Sequence, residues 1–296
     1  MHKFLRAVGF SQIKDRKELI KMITASIQNA EKRSYVTTKD NVMLAEFAKD
    51  YADRIGVAVC GEFDDEDKFI YEYYYPYLIP TGVSTEEDIN VERHAAQYSY
   101  AGVVNEPRIG VTLIYYLQNM VPYVKLENEN KFPIKGTTLS LSSLSVQGQI
   151  LMPIAKTDEE KAVARKKTNY RNNLINNARR GDESAIESLT LDDMDLYTSI
   201  SRKIRKQDVF SLVDTYFMPY GVECDHYSVL GEIIECTRVT NYVTGENIHI
   251  MRINCNDLEF DVCINEVDLL GEPAVGRRFK GNIWMQGVIN FAEMNP

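Results

Sequence analysis

Two kinds of periodicity divide the chain. Three-to-four spacing of apolar residues, the mark of an amphipathic helix, runs through Met1 to Arg54. There Leu19, Ile20, Met22, Ile23 and Ile27 follow Asp15. Val42, Met43, Phe47 and Tyr51 suggest a second helix starting at Asp40. From Ile55 to Ile154 the pattern changes to alternation, which places successive side chains on opposite faces of a strand. "IGVAVCGEF", "FIYEYYYPYLIP" and "VTLIYYLQN" are strand candidates, and the acidic run Asp64 to Asp67 reads as an exposed hairpin tip. In "TTLSLSSLSVQGQILMPI" the apolar phase slips at Ser142–Ser143, as an extra residue in a β-bulge would cause. Helical spacing returns between Thr157 and Lys206, with Thr157 and Glu160 as a capping box and Gly181 followed by Asp182 as a stop and a new cap. Asp225 to Pro296 alternates again, with turns at Gly245 and at Asn256–Asp257.

These periods predict an α+β protein. Residues 1–156 form an N-terminal helix-and-antiparallel-sheet domain, 157–206 a helical bridge, and 207–296 a small OB-like β-barrel module. A compact sandwich is the alternative for the last segment. In the final strand Phe279, Ile283, Met285 and Ile289 alternate with Lys280, Trp284, Gln286 and Asn290, and Gly281 and Gly287 give room for strong coiling.

Composition narrows the function classes. The 296 residues include 44% hydrophobic and 26% charged residues, ordinary for a globular protein. The N-terminus lacks an apolar core of signal-peptide length, and no apolar run is long enough for a membrane helix. Five cysteines without a CxxC pair read as reduced thiols, so a cytoplasmic location is expected and neither a metal nor a cofactor is implied. A net charge of −9 disfavours general binding to nucleic acid. The basic residues of Lys156 to Arg180 and of Ser201 to Lys206 alternate with acids and read as solvated helix faces.

Phosphate-loop, dinucleotide and nucleophile-elbow motifs are absent. The densest polar cluster is Glu223 to His226, where Cys224 and His226 could pair, although a polar connection with Cys224 packed inward is the simpler explanation, since adjacency in sequence says little about catalytic geometry. Trp284, the sole tryptophan, falls on the polar face of the last strand with Lys280 and Gln286, which makes these three candidate binding residues. The competing explanation is an indole covered by another part of the chain, such as the helical bridge. Tyr71, Tyr73 and Tyr75 form a second candidate set, part of one aromatic row from Phe69 to Tyr77. Pro76 lacks a donor and moves this strand toward a sheet edge, where the row serves as a packing wall or as a binding face.

The runs "MHKFLRAVGF", "VDTYFMPYGVECDHYSVLGEI" and "VGRRFKGNIWMQGVINF" resemble landmarks of an uncharacterised family from clostridial-type Gram-positive bacteria, domain of unknown function 3881. The resemblance spans the whole chain and implies a cytosolic protein of unassigned activity; it transfers no functional residue. The expected function is therefore that of a non-enzymatic binding or scaffold protein engaging a protein or small ligand, with no cleft of convergent polar groups. The alternatives are an enzyme with a non-motif site between the two β regions near Cys224 and His226, and a single-strand nucleic-acid binder acting through the barrel.

Overall fold

A computed structural model describes residues 1–93, 98–154, 158–204 and 213–292. A 3-10 helix, Lys3–Val8, leads into α1 (Arg16–Gln28), which begins where the sequence predicts: the Asp15 carboxylate accepts the Glu18 N–H at 2.8 Å as an N-cap. Four strands follow, β1 (Lys32–Thr37), β2 (Met43–Ala52), β3 (Ile55–Phe63) and β4 (Phe69–Leu78). They form one antiparallel sheet in that order.

The second helix expected from Asp40 is thus a strand. Its consecutive residues Leu44 to Ala48 are all buried. A strand covered on both faces loses its period of two, and the four-residue spacing of Met43, Phe47 and Tyr51 then imitates a helix. At the tip between β3 and β4, the Asp64 carboxylate accepts the Glu66 and Lys68 N–H groups, and Asp67 has φ 57°.

The remaining strands belong to a second, larger sheet: β5 (Ile89–Arg93), β6 (Tyr100–Glu106), β7 (Val111–Leu117), β8 (Thr138–Leu151), β9 (Tyr216–Pro219), β10 (His226–Thr240), β11 (Asn247–Cys255), β12 (Leu258–Asn265), β13 (Leu269–Leu270) and β14 (Arg278–Asn290). Helices α2 (Met120–Asn128), α3 (Asp158–Arg179) and α4 (Glu183–Ile204) and a 3-10 turn at Glu266–Asp268 complete the elements of the described residues. Asp182 accepts the Ser184 and Ala185 N–H groups at the start of α4, as expected. Thr157 and residues 205 and 206 of the basic run lie outside the described residues.

Neighbours in the large sheet run β13, β8, β12, β11, β10, β14, β7, β6, β5, with β9 on β10. Because β8 pairs with β12 on one side and β14 on the other, the strands β8, β12, β11, β10 and β14 form a closed circuit. Strands from residues 1–156 and 207–296 therefore share hydrogen bonds: β7 and β8 both pair with β14. The Asn256–Asp257 hairpin has φ 54° and 65° at its two turn residues, the left-handed pair that a two-residue β-turn requires.

The expected bulge at Ser142–Ser143 is not there. The register of β8 against β14 shifts further along, between Gly281 and Ile283. The change of apolar phase has another cause. Leu139 and Leu141 enter the core of the large sheet, while Leu144 enters the core shared with the small sheet. The strand separates two cores, and Ser142, Ser143 and Ser145 are fully buried between them.

Candidate functional site

The small sheet meets the outside of the strand circuit through β4, and there a cleft of ≈ 570 Å³ opens. Its walls come from six separate stretches of chain, one of them Ser99 in the loop before β6. The 3-10 helix region supplies His2 and Phe4, β4 supplies Tyr73, Tyr74 and Tyr75, β7 supplies Tyr116, the loop before β10 supplies Glu223 and Asp225, and β10 and β14 supply His226 and Trp284.

Pairing geometry builds the polar end. His226 and Trp284 are directly opposite on β10 and β14. Asp225 then lies beside the indole, and the Trp284 Nε1–H donates to Asp225 Oδ2 at 2.7 Å. The Asp225 carbonyl also accepts the Met285 N–H at 2.9 Å, which fixes the loop to β14. The His226 ring is flanked by two carboxylates: Glu223 Oε2 lies 3.4 Å from Nδ1, and Asp225 Oδ1 lies 3.9 Å from Nε2.

Burial lowers the His226 pKa, with Asp225 and Glu223 opposing it. His2 falls further, to about 4, through burial and then the neighbouring His226. Both imidazoles are neutral at physiological pH, while the exposed Glu223 is held below its ordinary value by backbone hydrogen bonding and by His226. The His2 Nδ1 is buried with no protein partner.

The floor is aromatic. Phe4 stacks on Trp284 at 5.4 Å, and His2 and Tyr116 approach the indole at 4.7 and 5.3 Å between ring centroids. Tyr75 contacts Tyr116 at 4.7 Å. Beneath them, the Tyr75 hydroxyl donates to Glu46 Oε2 at 2.9 Å, and the Cys60 thiol lies 3.8 Å from the same oxygen. Burial raises the Glu46 pKa despite the Tyr75 hydrogen bond and pushes the Cys60 thiol far up, so the thiol is no nucleophile.

The candidate residues read from the sequence are divided by the fold. Tyr73, Tyr75 and Trp284 line the cleft together. Trp284 is only 5% exposed, so it does not present a free face to solvent; among the described residues its cover is the N-terminal segment and Tyr116. Gln286 is fully buried, not on a solvated face. Its amide donates to the Pro76 carbonyl at 2.8 Å and its oxygen accepts from Gln118 Nε2 at 2.7 Å. The outer face of β14 is polar in sequence because it docks the edge of the small sheet, a position alternation cannot distinguish from water.

Lys280 is half-buried in a different groove beside Gln149 and Asp268. Tyr71 leaves the row: β3 and β4 shift register between Cys60 and Gly61, with Tyr73 opposite Cys60 and Tyr71 opposite Gly61. The extra residue, Glu72, sends Tyr71 to the other face, where it is 43% exposed. Cys224, expected to pack inward or to pair with His226, is exposed, and the residues lining the cleft do not include it. His2, Phe4 and Tyr116 carried no sequence signal as site residues, because each is remote in the chain from the others.

Among the described residues no group of three or more His, Cys, Asp or Glu side chains is arranged to hold a metal ion, and no helix is long and apolar enough to cross a membrane. No curated protein and no solved structure matches the chain. Residues 5–287 match the family model described as "Domain of unknown function, E. rectale Gene description", and the chain belongs to that family, DUF3881.

Proposed function

We propose that this protein binds a small molecule in the cleft above Trp284. The carrying observation is the convergence, from separate stretches of chain, of an aromatic floor with the polar groups of Glu223, Asp225, His226 and His2. A concavity of ≈ 570 Å³, mostly aromatic with a few placed polar groups, fits a small-ligand site. A cleft with a histidine beside acids counts against the expected non-enzymatic scaffold without convergent polar groups, and it supports a small-ligand site, catalytic or not. The closed circuit of five strands supports an OB-like module in which β8 completes the ring. The single-strand nucleic-acid alternative loses its main motive, since the indole has no free face on which a base could stack.

The test uses the sole tryptophan as the reporter. Titration with a chemically diverse small-molecule library is expected to change Trp284 fluorescence for some compounds, and Tyr74→Ala at the half-buried rim should weaken those responses. A library that leaves both fluorescence and thermal stability unchanged overturns the reading.

A second reading, an enzyme at the same site, is favoured by one observation: a neutral imidazole held between two carboxylates is arranged for proton transfer. Under that reading His226→Gln abolishes turnover of a bound compound while leaving its affinity within a few-fold.

A further inference from the structure

Resting on that binding reading, we infer that the cleft selects organic cations, a primary amine or quaternary ammonium group carried on a small hydrocarbon body. Three independent features of the cleft converge on this class. The first is the wall: Tyr73, Tyr74 and Tyr116 are half-buried, so their rings remain partly accessible. Aromatic faces carry negative electrostatic potential and attract cations, most strongly where water is partly excluded.

The second is the charge at the polar end. Asp225 and Glu223 lie at one side, and the two neutral histidines add no positive charge to offset them. Asp225 Oδ2 is occupied by the indole N–H, so this carboxylate is oriented before any ligand arrives. An anionic ligand would meet two carboxylates against the single Lys3 ammonium, and two of the phenols have engaged donors: Tyr75 donates to Glu46, and Tyr73 to the Tyr98 carbonyl at 2.8 Å.

The third is an internal precedent. The Lys3 ammonium, the one cationic side chain lining the cleft among the described residues, lies 4.9 Å from the Phe4 ring centroid. The protein's own cation thus rests on an aromatic side chain of the site. A ligand cation would compete with it electrostatically, so removing the Lys3 charge and removing the Glu223 charge must act in opposite directions. A structural role for either exposed residue predicts no such opposition.

The experiment follows the single indole Nε1–H resonance in ¹⁵N-labelled full-length protein. Choline and benzylammonium are titrated beside their neutral isosteres, 3,3-dimethyl-1-butanol and benzyl alcohol, and beside benzoate. At least one cation is expected to shift the resonance with affinity about tenfold above its neutral isostere, and benzoate to bind weakest. Glu223→Gln should lower the ratio of cation to isostere affinity about three- to tenfold, and Lys3→Gln should raise that ratio by a similar factor. Both side chains are exposed, so these variants keep the fold. Equal binding of cation and isostere, a preference for benzoate, or the same direction of change in both variants overturns the cation inference and leaves a small-ligand site standing. If neither cation shifts the resonance, the cation inference is overturned; silence from the diverse library as well overturns both.

Discussion

The two cores of the molecule are built from different chemistry. Inside the large sheet the buried residues are chiefly aliphatic or phenylalanine: Leu113, Leu139, Leu141, Ile253, Phe260, Val262 and Met285 have essentially no exposed surface. Where the small sheet meets the strand circuit, the core contains Tyr51, Tyr75, Tyr77 and Trp284, each tied to a polar partner. Tyr51 bonds to Ser26 at 2.8 Å, Tyr75 to Glu46, Tyr77 to Asp50 at 2.5 Å, and Trp284 to Asp225. The first core gains its stability from area removed from water. The second adds directional constraints, since a ring whose polar atom must meet one partner is fixed in position as well as buried. The cleft opens beside the second core, where side-chain placement is most strongly specified.

Substitutions that remove packing or pairing separate the two cores. Phe260→Ala, in the aliphatic core, should cost about 3–5 kcal/mol in denaturant unfolding. Gln286→Leu keeps apolar volume but removes the side-chain donor to the Pro76 carbonyl and one of the three acceptors of the Gln118 amide; the expected cost is about 1–3 kcal/mol, with loss concentrated at the junction between the sheets. A much smaller cost would mean that the junction is held by packing alone.

Glu46 gives the polar core a pH signature. Its folded pKa is raised by burial, so the folded state keeps this proton to higher pH than the unfolded chain. The associated stability is fully present below the ordinary value of 4.5 and is lost as pH rises through the folded value, with a slope of at most ~1.4 kcal/mol per pH unit. Glu46→Gln should abolish that slope. His2 acts in the opposite sense: its folded pKa is lowered from 6.5 to about 4, so its contribution is present above 6.5 and lost as pH falls through about 4. Unfolding free energies of wild type and Glu46→Gln across pH 4 to 8 measure the difference.

Smaller effects test the exceptions. Tyr115 belongs to the large-sheet core, yet its hydroxyl is buried without a partner while its ring lies between Gly102 and Gly287. Tyr115→Phe should therefore raise stability by about 1 kcal/mol, the reverse of what removing a hydroxyl from Tyr75 would do. Tyr71→Ala, on the exposed side of the bulge, should change stability by less than about 0.5 kcal/mol. A larger loss would place Tyr71 in a packed role that its exposure does not show.

Much of the fold was legible in local chemistry. Asp15 marked the start of α1, Asn256–Asp257 the tight hairpin, and Pro76 the edge position of β4, which is indeed terminal in its sheet. The failures share one physical origin. Val42 to Tyr51, Ser142–Ser143 and the Trp284–Gln286 face all lie where chain is covered from both sides. A face that touches protein through hydrogen bonds looks solvated in sequence, and a strand buried on both faces loses alternation. The site was legible only in fragments, Tyr73, Tyr75, His226 and Trp284, because its walls are assembled by pairing between segments as far apart as β4 and β14.

The edge of β4 has a further consequence. A terminal strand normally offers a row of unpaired carbonyl and amide groups to any other extended chain. Here Gln118, Ser142 and Gln286 reach from the large sheet and occupy it: the Leu78 carbonyl accepts from Gln118 and Ser142 at 3.0 and 2.6 Å, and the Pro76 carbonyl accepts from Gln286. Three polar side chains thus do the work of a fifth strand without supplying a backbone. They cover the Pro76–Leu78 end of this edge only while the large sheet is folded against it, so partial unfolding at this junction would uncover it.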